Sequence, residues 1–189
     1  MEIIFIRHSK TEIDPQVPIS NWGLSEEGVE LAKRLSTHES VQQLDVLYTS
    51  FQTKALETAV LLAKPNGIPI KTDGGLTEVS SFTGPFEPNF EKYEQGVKDY
   101  YAKKIERISN GESIDEAVER FNRTLLNIVA AEQGKNKIGI ITHANIVTLF
   151  SSQYRTINCY ATHMAIKQPD IAIFEWENKK FRAFFGEII

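Results

Sequence analysis

Two histidines stand where an apolar run gives way to polar residues. His8 follows the first such run and is preceded by the cation Arg7, and His143 follows a second run late in the chain. A third apolar run leads to Lys54, which stands near the start of an amphipathic segment. A neutral histidine can act as a nucleophile, while arginine offers a fork of donors to phosphate and lysine offers a point charge. These residue types together predict an anion site of phosphate size that contains a nucleophile.

Backbone N–H groups are expected to add to this anion site. The predicted strands end just before the two histidines, so Ser9 and Ala144 follow at the turns. The turn after His143 leads into a helix, whose N-terminus favours negative charge. We therefore predict a phosphate-binding set that consists of Arg7, Lys54, His143, Ala144 and Ser9.

Other roles are open to these histidines. A single histidine at a strand end is more often structural, but two at equivalent strand ends are harder to explain in that way. We interpret His38 as an exposed loop residue and His163 as a structural residue. No His-x₃-His or His-Glu-x-x-His spacing occurs, and the lone Cys159 excludes a cysteine-rich zinc site and an intrachain disulfide. We predict neither a metal nor another cofactor.

The elements that must position these residues alternate between strands and amphipathic helices. Predicted strands cover Glu2–Arg7, Asp45–Thr49, Ile68–Lys71, Lys137–Thr142, Met164–Ile166, Ile171–Trp176 and Phe181–Phe185. Predicted helices run from the cap Ser25 to about Leu35, over Thr53–Ala63, over Phe90–Ser109, from the capping box Ser113-x-x-Glu116 to about Ile128, and over Asn145–Gln153. This order predicts an α/β fold with three layers, α/β/α, around a mostly parallel central sheet. Ligands of such folds gather at the carboxyl ends of the strands, where both histidines are expected.

Length and composition limit the classes of function. A chain of 189 residues is predicted to form one domain over 1–189, with a cap or insertion at about 80–110. Residues Asp73–Asn89, rich in Gly, Pro, Ser and Thr, predict a long ordered loop. The net charge of −4 argues against nucleic acid as a partner, and no apolar run approaches the roughly 20 residues of a membrane span. The first residues do not resemble a signal peptide, so the default expectation is the cytoplasm. Nothing in the sequence predicts an oligomeric state.

The chain resembles the histidine phosphatase superfamily, also called the phosphoglycerate mutase-like family. The matching segments, in chain order, are residues 4–11, Leu24–Gly28, Tyr48–Ala59, Leu76–Glu78, Gly111–Ser113 and Ile141–Ala144. The first is similar to the family's Arg-His-Gly-Glu-Thr opening, and the last is similar to the strand that carries its second histidine. The resemblance therefore implies a phosphoglycerate mutase-like fold.

The resemblance implies an enzyme, a phosphatase that hydrolyses phosphate monoesters through a covalent phosphohistidine. His8 would attack phosphorus, with its other ring nitrogen held by a backbone carbonyl. Arg7, Lys54 and His143 would bind the non-bridging oxygens and stabilise the transition state. The partner would be a small phosphorylated substrate or a phosphoprotein.

The same resemblance implies a carboxylic acid that protonates the leaving oxygen and then activates water. Glu78 stands in the matching Leu-x-Glu segment and is the expected acid, and Glu87 is the alternative because it lies nearby in the sequence.

The chain departs from the family pattern at four positions. Phe51 stands where a proline is common. Ser9 replaces a glycine, Lys54 replaces an arginine, and Asp14 stands where many members have asparagine. These departures keep open a catalytically weak phosphate-binding module. A phosphoglycerate-type mutase is a further alternative, although such mutases are longer and carry additional segments around the site. Phe82–Tyr101 is expected to cap the site and to select the substrate.

Overall fold

The structure is a computed structural model that describes residues 1–83, 86–108 and 110–188. Its strands are β1 (Glu2–Arg7), β2 (Val46–Thr49), β3 (Ile70–Thr72), β4 (Lys137–Thr142), β5 (Asp170–Glu175) and β6 (Lys180–Ala183). Its helices are α1 (Glu26–Ser36), α2 (Glu39–Gln42), α3 (Thr53–Ala63), α4 (Phe90–Tyr101), α5 (Ile114–Ala131), α6 (Ala144–Ser151) and α7 (Cys159–Ala165). Within the described ranges, no helix is both long and apolar enough to cross a lipid bilayer.

The strands form one mixed sheet in the order β3-β2-β4-β1-β5-β6. Strands β3, β2, β4 and β1 run parallel to one another, whereas β5 is antiparallel to β1 and β6 is antiparallel to β5. The mostly parallel α/β architecture predicted from the alternating elements is confirmed. The tail strands form an antiparallel edge because a short turn, rather than a helix, joins β5 to β6.

The central sheet is buried on both faces. Along β1, Ile3 and Phe5 pack in one apolar cluster while Ile4 and Ile6 pack in another, since successive side chains of a strand point to opposite faces. Helices α5 and α6 supply residues to the Phe5 cluster, and α1 and α3 supply residues to the Ile4 cluster. The sheet therefore lies between two helical layers, as the near-continuous apolar runs of its inner strands indicate.

The start of α1 is packed unusually close to the loop after β1. Ser25 caps the helix by accepting a hydrogen bond from the Gly28 N–H at 3.1 Å. A Cβ atom on Gly28 would lie 2.0 Å from the Lys10 carbonyl oxygen, so only glycine allows this contact. The Leu24–Gly28 segment thus holds the loop that carries His8 against the helix.

Two predicted elements near the C-terminal half are wrong in type or extent. The predicted strand Met164–Ile166 belongs to α7 and its cap, because the Asn158 side chain accepts a hydrogen bond from Ala161 N–H and begins a helix there. The predicted helix Phe90–Ser109 ends at Tyr101, just before Lys103 adopts a positive φ of 54°. Residue Ser109 lies outside the described residues.

Smaller differences concern element ends. Strand β3 begins two residues later than predicted, and α6 ends at Ser151 rather than Gln153. The predicted loop Asp73–Asn89 contains two 3₁₀ turns, Gly74–Leu76 and Ser80–Phe82, and its residues 84 and 85 lie outside the described part of the chain. Thr142 at the end of β4 donates a hydrogen bond to the Leu76 carbonyl at 3.0 Å, which fixes the first turn beside the strand ends.

Candidate active site

The two histidines meet because their strands are parallel neighbours in register. Arg7 on β1 pairs with Thr142 on β4, and the His8 N–H donates to the Thr142 carbonyl at 3.1 Å. The ring centroids of His8 and His143 are consequently 5.1 Å apart. A cavity of about 330 Å³ opens at this edge of the sheet, and the predicted site residues that line it are Arg7, His8, Lys54, Glu78, His143 and Ala144.

The His8 ring is buried and held in one orientation. Its Nδ1 donates a hydrogen bond to the Ser9 carbonyl at 2.9 Å, because a carbonyl can only accept. Burial, with the charges of Arg7 and Lys54, holds the pKa of His8 well below its ordinary value. The ring is therefore neutral, its proton is on Nδ1, and Nε2 carries the free lone pair of a nucleophile.

The His143 ring is equally buried and is also neutral. Burial, followed by the neighbouring His8 and Lys54, holds its pKa well below the ordinary value. Ser50, at the end of β2, lies with its Oγ 2.8 Å from His143 Nε2. The other ring nitrogen has no hydrogen-bond partner among the described residues. Ser50 thus orients a ring that retains unused hydrogen-bonding capacity.

Of the two cations of the site, Lys54 is buried and Arg7 is half-buried. Lys54 is only 4% exposed, and its Nζ donates to the Ile19 carbonyl at 2.7 Å. Burial lowers its pKa to about 8, which Glu78 opposes and Arg7 reinforces. Arg7 donates through one terminal nitrogen to the Ile166 carbonyl, while its Nε has no partner within the described ranges. Buried polar atoms without partners are uncommon in proteins and indicate groups that a ligand can satisfy.

Glu78 lies against the N-terminus of α6, directly beside His143. Its Oε1 accepts from the N–H groups of Val79 and Ile146, both at 2.9 Å. Its Oε2 accepts from the backbone N–H and the side-chain amide of Asn145, at 3.0 and 3.1 Å. Four donors therefore fix this carboxyl group in place, and one of these bonds must open before Glu78 can pass on a proton.

Glu87 also lines the cavity, but it is held differently. Its carboxylate forms an ion pair with Lys92 at 2.6 Å and accepts from Asn89 N–H at 3.1 Å. These two contacts keep the pKa of Glu87 below its ordinary value. Of the two acids, Glu78 is the one buried beside the histidines, while Glu87 lies in the loop before α4.

Ser9 and Asp14, two residues expected near the phosphate, do not line the cavity. The Ser9 hydroxyl donates to the Gly28 carbonyl at 2.7 Å, and its backbone N–H donates to Thr58 Oγ1 at 3.0 Å. Ser9 is fully buried and does not line the cavity, so its hydrogen-bonding groups are used within the fold. Asp14 is exposed and caps Gln16 N–H at 2.9 Å, and so it does not face the anion site.

Sequence reasoning missed several residues of the cavity. His163 on α7 was interpreted as structural, yet it lines the cavity, and burial with the nearby Arg7 lowers its pKa to about 4. Ser50 and Asn145 were not predicted as site residues. Ser50 directly follows β2, and Asn145 comes two residues after His143. The sequence assigned His163 to no element and predicted a strand directly after it, at Met164–Ile166, where the structure has the end of α7.

Aromatic side chains form the upper wall of the cavity. Trp22 and Phe86 pack with ring centroids 5.5 Å apart, and Phe82 packs against Tyr93 at 6.4 Å. Phe90, at the start of α4, completes this wall and is largely exposed. Phe82, Phe86, Phe90 and Tyr93 all belong to the segment expected to cap the site.

The site contains no recognisable metal-binding group. In the part of the chain that the structure describes, no three His, Cys, Asp or Glu side chains are grouped so as to hold a metal ion. The cations Arg7 and Lys54 line the cavity together with the neutral His8 and His143, and these four side chains suit an anion. The carboxyl groups of Glu78 and Glu87 line the same cavity.

Comparison with protein families gives a match over nearly the whole chain. The family model described as "Histidine phosphatase superfamily (branch 1)" matches residues 3–184. A comparison with curated proteins gives no match.

Solved structures share the fold at low sequence identity. Bacillus stearothermophilus YhfR superposes with a TM-score of 0.79 at 19% identity, over 100% of this chain and 97% of that one. A phosphoserine phosphatase mutant from Entamoeba histolytica, in complex with phosphoserine, gives 0.76 at 18% identity, over 99% and 97%. A mycobacterial glucosyl-3-phosphoglycerate phosphatase in complex with VO3 gives 0.75 at 17% identity, over 100% and 99%.

Proposed function

Since the chain belongs to the histidine phosphatase superfamily (branch 1), we propose that it is a phosphoric monoester hydrolase that works through a phosphohistidine on His8. The observation that carries the proposal is the state of the His8 ring. Its Nδ1 donates to the Ser9 carbonyl and its pKa is lowered, which leaves Nε2 unprotonated, and His8 lines the cavity together with Arg7 and Lys54.

In the first half-reaction, His8 Nε2 attacks phosphorus and the bond from phosphorus to the ester oxygen breaks. Arg7 and Lys54 would neutralise the non-bridging oxygens, and His143 would donate to the same oxygens. Ala144, at the start of α6, lines the same cavity, and its backbone N–H would add a further donor. The buried Arg7 Nε, which has no partner among the described residues, supports this assignment.

Glu78 would supply the proton that the leaving oxygen needs. In the second half-reaction it would take a proton from water as that water attacks the phosphohistidine, which breaks the phosphorus–nitrogen bond and frees orthophosphate. Its burial beside His143 supports Glu78 over Glu87, whose carboxylate is paired with Lys92. No cofactor is needed for these steps.

The proposal is tested by trapping the covalent intermediate. Wild-type protein is mixed with a ³²P-labelled aryl phosphate, quenched in denaturant at alkaline pH, and the labelled peptide is identified. We expect label on His8 and loss of hydrolysis in His8→Ala, whereas the control His38→Ala keeps both. Hydrolysis by His8→Ala at the wild-type rate would refute the assignment.

The four donors on Glu78 favour one second candidate, a phosphate-binding module with weak turnover. Because these contacts use both carboxyl oxygens as acceptors, proton delivery to the leaving group requires a rearrangement. Binding of inorganic phosphate without a phosphohistidine and without turnover would select this candidate. Formation of a second phosphate ester rather than free phosphate would instead select a mutase.

Several expectations from the sequence remain predictions. These are the single domain over 1–189 with its cap at about 80–110, the cytoplasmic location, and a partner that is a small phosphorylated molecule or phosphoprotein rather than nucleic acid. The exposed Phe90 and the half-buried Phe86 beside the cavity support the substrate-selecting role of the cap.

A further inference from the structure

The cavity has two chemically different parts. Its base holds the cations Arg7 and Lys54 and the two facing histidines, whereas its upper wall is apolar and largely aromatic. The wall residues are Ile13, Ile19, Trp22, Phe82, Phe86, Pro88, Phe90 and Tyr93. A phosphoryl group held at the base would therefore direct the rest of its substrate along this apolar wall.

The wall presents fixed ring surfaces rather than flexible groups. The Trp22 indole N–H donates to the Asp14 carbonyl at 2.8 Å, which fixes the ring orientation, and Phe86 packs on it with a 55° interplanar angle. Phe82 is held edge-on against Tyr100 at 5.2 Å. Rings that are already ordered lose little freedom when a flat apolar group packs on them.

Two large apolar side chains at this cavity are left in water. Phe90 is 61% exposed and Ile13 is 57% exposed, although both line the cavity. An apolar group that packs on them would remove this surface from water, which is a favourable process. A sugar or an amino acid backbone would not gain this contribution.

The charges of the lining argue in the same direction. Within the described ranges, the cations that line the cavity are Arg7 and Lys54, and both belong to the phosphate end. Glu87 stands between the wall residues Phe86 and Pro88 and also lines the cavity; it is an anion whose partner is Lys92. His163 is neutral at physiological pH because its pKa is about 4. A carboxylate on the substrate would therefore lose water without gaining a cation.

We infer that the preferred substrate is a phosphate monoester whose leaving group is a flat, uncharged aromatic ring system. This inference rests on the proposed function, because it assumes that the phosphoryl group binds between Arg7, Lys54 and the histidines. The cavity of about 330 Å³ suits one phosphoryl group and one or two rings, since it lies at the small end of the range for ligand pockets.

Binding of non-hydrolysable phosphonates tests the inference without turnover. The wild-type protein is titrated calorimetrically with 1-naphthylphosphonate, with methylphosphonate and with phosphonoacetate, which carries a carboxylate. We expect the naphthyl compound to bind at least about tenfold more tightly than the other two. Equal affinities, or tightest binding of phosphonoacetate, would overturn the inference.

Variants of the wall locate the preference. Phe90→Ala removes a ring whose exposure makes it dispensable for folding, and Phe86→Ala provides a second removal. Each should weaken naphthylphosphonate by about threefold to tenfold and change methylphosphonate by less than about twofold. The control Leu126→Ala, on α5 outside the cavity and 58% exposed, should change neither. An unchanged naphthyl preference in both wall variants would contradict the assignment of the wall.

Hydrolysis measured in parallel separates the two proposals. If aryl phosphates are hydrolysed no faster than 3-phosphoglycerate or phosphoserine, the inference fails while the phosphatase assignment stands. If naphthylphosphonate binds preferentially but no phosphate ester forms a phosphohistidine, the proposed function fails while the inference about the wall stands.

Discussion

Lys54 lines the cavity, and its charge should change just above neutral pH. We therefore predict that kcat/KM depends on the protonation of Lys54. Burial lowers its pKa to about 8, so the group is about 90% charged at pH 7 and about 10% charged at pH 9. If the charge is required to bind the phosphoryl group, kcat/KM should fall about tenfold between these values, because kcat/KM reports ionisations of the free enzyme.

Two substitutions isolate this effect. Lys54→Arg keeps a cation that does not titrate in this range, so its kcat/KM should stay level from pH 7 to pH 9. Lys54→Met removes the charge, so its profile should be level and at least about tenfold lower than wild type at pH 7. Lys33→Met, which removes an exposed cation on α1, serves as the control and should keep the wild-type alkaline fall.

The assay is steady-state hydrolysis of an aryl phosphate across this pH range, with folding checked by circular dichroism at each pH. The substrate does not confuse the result, because a phosphate monoester with a second pKa near 6 is already a dianion above pH 7. The buried His8 is also neutral throughout, since its pKa lies well below the ordinary value. The reasoning is refuted if the alkaline fall persists unchanged in Lys54→Arg.

Three further predictions concern proton transfer, ring orientation and packing. Glu78→Gln should reduce kcat by about 10²-fold to 10⁴-fold on an alkyl phosphate and much less on 4-nitrophenyl phosphate, whose leaving group needs no proton. Steady-state rates on both esters check this, and an equal loss on both would exclude Glu78 as the acid. Ser50→Ala removes the hydroxyl that lies 2.8 Å from His143 Nε2, and should lower kcat/KM about tenfold with little change in the unfolding midpoint. Wild-type kinetics in this variant would show that His143 needs no such support. Gly28→Ala places a Cβ 2.0 Å from the Lys10 carbonyl, and should lower the free energy of unfolding in urea by about 2 kcal/mol. An unchanged urea midpoint would contradict the close packing described for α1.

The regular elements were predictable wherever a local signal defines them. Strands β1 and β4 and helix α3 have the predicted bounds, because apolar runs and helical spacing report directly on backbone periodicity. The capping box at Ser113 is present as predicted. The strand predicted at Met164–Ile166 was wrong because an apolar run of three residues fits a strand and a helix equally well. The structure has a helix there, which the Asn158 side chain caps.

The candidate site was also predictable only in part. The sequence predicted a meeting of His8 and His143, because residues after parallel neighbouring strands share one edge of the sheet. It also predicted Ser9 as a phosphate ligand, since it directly follows the nucleophile. The structure instead uses both hydrogen-bonding groups of Ser9 on Gly28 and Thr58, which are distant in the sequence.

The sequence by itself determined which chemistry is predicted for this protein, because residue types and their order along the chain indicate a candidate nucleophile, two cations and a candidate acid. Only the tertiary structure decided which side chains share the cavity with them. It brought His163, Trp22 and Phe86 to the cavity that His8 and His143 line, and it fixed Glu78 against the N-terminus of α6. The physical reason is that local patterns record backbone periodicity, whereas the direction and surroundings of each side chain follow from packing between distant segments.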